Sequence, residues 1–336
     1  MTEGGGLFNS RFFGRQPAWH LLGTVSDVPI GAQDAFTALG PYDVTLEQLF
    51  LKDGVRAPLG GITRHPTPDD PNVRIFGVTR PEYVVISPQL VCEVWDDFVQ
   101  QPVETMGAIG KGEYFFISTF LPTFSVGPSD EIKNYLLVIS PYSGWESLEI
   151  RVTGVRTVCL NTMRIARRQS SEVYRIIHRG NAKENLGMWL EDVWGRSLRR
   201  VQELSELYGV FAQRRLSRIE VDRTLKSVYP EKLRAEASSP ADLLKTREEA
   251  YDYDRRHNAK ARESVLRLYE GEGSGSDLPG YQGYAWGLLQ AVTEWENYRP
   301  TSRPESAAKA ILLGDRGITQ MKTFDYLYAL IERKPR

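Results

Sequence analysis

The strongest constraint on the fold of this chain is a change of hydrophobic period along its length. Up to about residue 180, apolar residues come in short β-branched and aromatic runs broken by Gly, Pro and Asp. Beyond that point, Leu186, Trp189, Leu190, Val193, Trp194, Val201, Leu204 and Tyr208 recur at helical spacing. A period near two fits a strand with one buried face, and a period of 3.6 fits an amphipathic helix, so one element type cannot serve both stretches.

The first stretch predicts strands over Val44 to Leu51, Val73 to Val78 and Tyr83 to Ile86, with a short helix from Ala32 to Leu39 closed by Gly40. A helix is expected from Pro88 to Gln101, because Ser87 is an N-cap residue, Pro88 suits the first helical position, and Leu90, Val91, Val94, Trp95 and Phe98 share one face. Glu113 to Leu121, Lys133 to Ser140, and Glu146 through Arg151 toward Cys159 read as a β-meander, with Pro141-Tyr142-Ser143-Gly144 as its tightest turn. A short helix is expected from Asn161 and a strand over Tyr174 to Ile177. Beyond the long helix, residues 240–270, 281–298 and 305–332 read as further helices.

The predicted fold is therefore α+β: an antiparallel β-meander with packed helices over residues 1–180, then a mostly helical C-terminal half over 181–336. Gly271-Glu272-Gly273-Ser274-Gly275-Ser276 has linker composition and predicts a flexible, exposed connector within that half. With 41% apolar and 25% charged residues, a chain of 336 residues has ample material for a buried core. No apolar run approaches the roughly 20 residues of a membrane helix. Met1-Thr2-Glu3-Gly4-Gly5-Gly6 is not a basic, apolar leader. Two cysteines and four histidines offer neither a disulfide framework nor a paired-cysteine zinc site, so the expectation is a cytoplasmic protein with no cofactor or metal.

The formal net charge of −1 conceals a strong asymmetry. Residues 1–150 hold 9 Lys and Arg against 18 Asp and Glu, residues 151–218 hold 14 against 6, and residues 219–336 hold 19 of each. Local field, not total charge, decides what a surface attracts, so the basic segment is the place to expect a polyanion. Arg164, Arg167 and Arg168 fall at i, i+3 and i+4 of the expected helix, with Arg156, Arg175, His178 and Arg179 on flanking strands. Guanidinium forks match phosphate oxygens, and Tyr142, Trp145 and Tyr174 are nearby planes for stacking bases. The alternative for these arginines is a solvated face paired with carboxylates of the acidic first 150 residues. Arg196, Arg199 and Arg200 repeat the spacing opposite the apolar stripe of the long helix, where a plain solvent face is expected.

Other constellations have simpler readings. Cys159 with His178 is the minimal arrangement for a cysteine nucleophile, but Cys159 ends the apolar run Val155 to Leu160, as a buried structural cysteine does. Cys92 is expected to be inert inside its helix. His20 lacks a second ligand at metal spacing. Gly107-Ala108-Ile109-Gly110-Lys111-Gly112 leads into a strand instead of a helix, so it reads as a hairpin turn and not a phosphate loop.

An ordered series of motifs adds a resemblance. Pro17-Ala18-Trp19-His20-Leu21-Leu22-Gly23-Thr24, Asp130 with Tyr135-Leu136-Leu137, Ser143-Gly144, Arg156-Thr157-Val158-Cys159-Leu160-Asn161-Thr162 and Ile177-His178-Arg179 resemble the phage/plasmid-like protein family, domain of unknown function 932. Ala285-Trp286, Ala291-Val292-Thr293-Glu294-Trp295, Arg299 and Leu313-Gly314 extend the likeness toward the C-terminus. The chain departs from the pattern before Gly144, where Pro141-Tyr142-Ser143 stands in place of an expected His-Asp pair. The resemblance implies carriage on a phage, prophage or plasmid in a bacterial host, and it brings no established activity. In element order alone, the meander followed by a long helix is similar to Rad-fifty-two-type single-strand annealing proteins.

These readings converge on a non-catalytic nucleic-acid-binding protein, with single-stranded DNA as the expected partner, acting in recombination or replication of a mobile genetic element. The alternatives are a protein-interaction factor that takes over host functions through its acidic first 150 residues, and an enzyme using Cys159 and His178. Acidic and basic segments that complement each other also leave a homo-oligomer open.

Overall fold

The structure is a computed structural model; it describes residues 11–14, 24–26, 28–127, 130–156, 161–163, 174–230, 256–300, 310–311 and 314–332. In chain order the elements are β1 (Arg11–Gly14), β2 (Thr24–Val25), α1 (Ala32–Leu39), β3 (Val44–Phe50), β4 (Arg56–Arg64), β5 (Arg74–Thr79) and α2 (Pro88–Val94), which runs on into a π-helical turn, Trp95–Val99. Next come β6 (Thr105–Ile109), β7 (Tyr114–Val126), β8 (Asp130–Pro141), β9 (Leu148–Arg156), β10 (Asn161–Met163) and β11 (Tyr174–Ile176). The helical half holds α3 (Ala182–Gln213), α4 (Arg218–Val228), α5 over 256–267, α6 (Ala285–Tyr298) and α7 (Asp315–Glu332).

The expected α+β class and β-meander are present. Strands β6 to β9 pair antiparallel in sequence order at the centre of an eight-stranded sheet ordered β10-β9-β8-β7-β6-β1-β2, with β11 also on β9. A second, three-stranded antiparallel sheet is ordered β3-β4-β5. The expected cap of α2 is in place, with Leu90 N–H donating to Ser87 Oγ at 3.2 Å and Pro88 at the start. Helix α1 begins at Gly31, which has no side chain to cap with; Asp96 in the π-helical turn supplies the acceptor, taking Ala32 N–H at 2.7 Å and Gln33 N–H at 3.1 Å.

Two apolar cores share one helix. Trp95, Phe115, Ile117, Leu136, Val138 and Ile150 meet Leu186, Leu190 and Val193 of α3 in the first. In the second, Leu204, Tyr208 and Phe211 of the same helix meet Trp286, Leu289, Phe324 and Leu327. At 32 residues α3 is about 48 Å long, enough to span both. Val126 and Ile132, at the far end of the β7–β8 hairpin, belong to the second core, so the sheet reaches into the helical half.

At four places the structure departs from the sequence reading. β4 has no strand pattern in the sequence because Pro58, Gly60 and Gly61 look like turn residues; the glycines are there because a side chain at Gly60 would meet Leu46 at 2.8 Å across the strands. Asn161–Met163 is a strand and not the start of a helix, since its backbone completes the ladder on Gly154 to Arg156 of β9. Tyr83 to Ile86 belongs to neither sheet.

The fourth concerns 271–276, which is an ordered turn and not a loose connector. Ser274 N–H and Oγ both donate to Glu294 of α6, at 3.0 and 2.8 Å, and Ser276 Oγ donates to the Gly271 carbonyl at 2.8 Å. Ser276 is buried, and a side chain at Gly273 would collide with Tyr281. Gly and Ser serve here for close packing.

The second core also encloses ionic groups. Tyr229 Oη donates to Glu296 Oε1 at 2.7 Å, Arg299 Nε lies 3.0 Å from Glu296 Oε2, and Arg316 Nη1 donates to the Glu296 carbonyl at 3.0 Å. Arg299 also reaches Asp315 Oδ2 at 2.8 Å. Burial raises the Glu296 carboxyl above its ordinary value, with Arg299 opposing the shift.

Candidate functional site

The sequence-predicted residues fall into three groups. Arg164, Arg167 and Arg168 lie outside the described residues, as do Cys159 and His20. Arg156 is described in its backbone, where it ends β9 and pairs with Ile132 and Asn161. The remaining residues can be placed through their side chains.

Tyr142 is part of the core. It is fully buried, and its hydroxyl donates to the Ile86 carbonyl at 3.1 Å, so both ring faces are covered and no base can stack on it. Tyr174 packs its ring on Trp189 of α3, centroid to centroid 5.1 Å. Arg175 stands opposite Glu149 in the β9–β11 register and pairs with it through Nε and Nη2, both at 3.3 Å. That is the carboxylate pairing named as the alternative for these arginines. Of the second arginine trio, Arg196 pairs with Asp192 at 2.8 Å and Arg199 is exposed. Arg200 departs from the expected solvent face: it is buried, with Nη1 on Glu203 at 2.9 Å, because α3 is covered on more than one side.

Trp145, His178 and Arg179 come together. They line one cleft of about 380 Å³ with Thr79, Arg80, Glu82, Tyr83 and Glu146 among its other walls. The cleft is built from three separated segments. The end of β5 brings Thr79 and Arg80, the turn between β8 and β9 brings Gly144 to Ser147, and the chain leaving β11 brings Ile177 to Arg179.

Each segment is pinned. Val84 N–H donates to the His178 carbonyl at 2.9 Å, and His178 Nδ1 lies 3.0 Å from the Val84 carbonyl. The imidazole stacks on Tyr83, with centroids 4.7 Å apart and planes 9° from parallel. Burial pushes the His178 pKa down from 6.5, against the opposing effect of its bond to Val84. On the turn, Gly144 has φ of +85°, Glu146 N–H donates to Ser143 Oγ at 3.3 Å, and Glu146 Oε2 accepts from Tyr114 Oη at 2.9 Å. β5 approaches this turn backbone to backbone: a side chain on Gly77 would lie 2.1 Å from the Ser143 carbonyl oxygen.

Trp145 is left 81% exposed at this cleft. Arg80 and Arg179 are exposed beside it, and among the described residues neither has a carboxylate partner. The arrangement offers a flat aromatic face, two guanidinium groups and a half-polar recess large enough for one small ligand. Among the described residues no three His, Cys, Asp or Glu side chains converge to hold a metal ion, and Cys92 is buried, its thiol pushed up by burial and by Asp96. Arg80 and Tyr83 were missed from the sequence; the only signal for them is their place in a short Pro-containing connection between extended segments, where functional side chains are often carried.

The motif residues that are far apart in sequence also find each other. Ser143-Gly144 and Ile177-His178-Arg179 meet at the cleft. Asp130 and Trp286 meet in the interior, where Trp286 Nε1 donates to Asp130 Oδ2 at 2.7 Å with both residues buried.

Fold and site thus define an α+β protein of a β-meander backed by a long helix, with an open aromatic and arginine-bearing cleft at the junction. Residues 75–313 match the family described as Domain of unknown function (DUF932), and the chain belongs to that family. No curated protein and no solved structure matches it. No described helix is long and apolar enough to cross a membrane.

Proposed function

We propose that the protein binds single-stranded nucleic acid, with one base stacked on Trp145 and the adjoining phosphates held by Arg80 and Arg179. The observation that carries this reading is the pairing of an indole left 81% exposed with two guanidinium groups that have no carboxylate partner among the described residues. An exposed Trp gains little within its own fold, whereas base stacking rewards it, and every base has a face to offer. A duplex keeps its bases stacked on one another, so the cleft fits a single strand better. The basic stretch 151–218 contributes the surrounding field, and the resemblance to the phage/plasmid-like family supports a role in recombination or replication of a mobile element.

The test is an anisotropy titration of labelled single-stranded and duplex DNA and RNA at two salt concentrations. Single strands should bind more tightly than duplex. With two phosphates neutralised by Arg80 and Arg179, log affinity should fall against log salt with a slope of about −1.4, from roughly −0.7 per phosphate. Absence of salt-dependent binding at micromolar protein would remove the reading.

A further inference from the structure

His178 is the most confined polar group of the cleft. It is 4% exposed, and its ring cannot turn without breaking the stack on Tyr83. The Val84 carbonyl next to Nδ1 can only accept, so Nδ1 carries the ring proton. In the neutral ring, which burial favours, Nε2 then presents a lone pair. That nitrogen is buried and has no hydrogen-bond partner among the described residues. A buried acceptor left this way costs stability unless something supplies a proton to it, and no described side chain does.

The other polar walls of the cleft are the Glu82 and Glu146 carboxylates, which only accept, and the hydroxyls of Thr79, Tyr83 and Ser147, which accept as well as donate. Its cations, Arg80 and Arg179, are exposed beside Trp145. The recess is therefore rich in acceptors and its mouth carries the cations. We infer that the cleft selects bases carrying an exocyclic amino group, cytosine or adenine, over thymine and uracil, with His178 Nε2 as the specificity-determining acceptor. An amino group donates to such a wall, as in the pairing of carboxylates with the cytosine amine. Thymine and uracil flank a single ring N–H with two carbonyl oxygens, so one oxygen faces a lone pair with no proton between them. The volume of about 380 Å³ suits one nucleoside-sized group. This inference rests on the nucleic-acid reading above.

The test is a competition titration of the full chain with short single-stranded oligo-dC, oligo-dA and oligo-dT. Oligo-dC and oligo-dA should compete about tenfold more strongly than oligo-dT, the discrimination expected of one good edge contact. Oligo-dC built from N4,N4-dimethylcytidine, which lacks the amine protons, should fall to the oligo-dT level; this arm needs no protein variant. His178→Gln, checked for folding by circular dichroism, should bind all of them with a preference below about threefold. Equal or tighter binding of oligo-dT by the wild-type protein overturns the base preference and leaves the nucleic-acid reading standing. Binding of the dimethylated strand equal to that of oligo-dC also overturns it. Failure of every strand to bind overturns both.

Discussion

The charged cluster around Glu296 and the cleft use their polar groups in opposite ways. Around Glu296, which is 1% exposed, the tyrosine, arginines and backbone groups face one another at 2.7 to 3.0 Å. At the cleft, the His178 ring uses one nitrogen on the backbone and leaves the other without a described partner, while Arg80, Arg179 and Trp145 face outward. Polar groups that answer one another hold a fold together, and the same groups left open are available to something else. The difference assigns stability to the first region and recognition to the second, and substitutions can separate the two.

The largest effect is expected from Arg299→Met, which leaves the Glu296 carboxylate buried without its closest cation. Equilibrium urea unfolding should show a loss of about 3 kcal/mol, while the folded fraction binds nucleic acid as before. Trp286→Phe removes the donor to buried Asp130 and should cost about 2 kcal/mol in the same measurement, a charged acceptor having lost one hydrogen bond. Gly77→Ala tests the connection between the two behaviours. Its new methyl group must push the Ser143 backbone away, so it should cost about 1 to 2 kcal/mol and also weaken binding by displacing the turn that carries Trp145.

The smallest effect concerns pH. The folded His178 pKa lies below the unfolded value of 6.5, so the unfolded chain takes up protons first as pH falls. The contribution is fully present above about 6.5 and is lost as pH drops from there through the lowered folded value. The stability difference between wild type and His178→Gln should shrink over that window; a difference that stays constant from pH 8 to pH 5 would show that the ring is not held neutral by the fold.

Much of the scaffold was legible in the sequence, because the change of period near residue 180 reflects real burial: the meander and α3 lie where the apolar pattern put them. Short-range chemistry was legible too, as at Ser87 and Pro88. What failed was composition read without context. Gly60, Gly61, Gly273 and Ser274 have the look of turn and linker residues, yet they are small because Leu46, Leu49, Tyr281 and Glu294 come close to them from elsewhere in the chain. The cleft was half legible. Trp145, His178 and Arg179 stood out by residue type, but Arg80 and Tyr83 join them through the Val84 to His178 hydrogen bonds and the Tyr83–His178 stack, which link positions some 94 residues apart and leave no local pattern. Tyr142 shows the converse, since no property of the residue itself distinguishes a tyrosine that seals a core from one that offers its face.

The most direct test pairs stability and binding in one substitution, Trp145→Ala. With its side chain 81% exposed, Trp145 contributes little to folding, and the unfolding free energy should stay within about 0.5 kcal/mol of wild type. Its loss as a stacking platform, worth about 1 to 3 kcal/mol per base, should weaken single-stranded DNA binding by tenfold or more. Unchanged affinity in a variant of unchanged stability would contradict the assignment of recognition to this cleft.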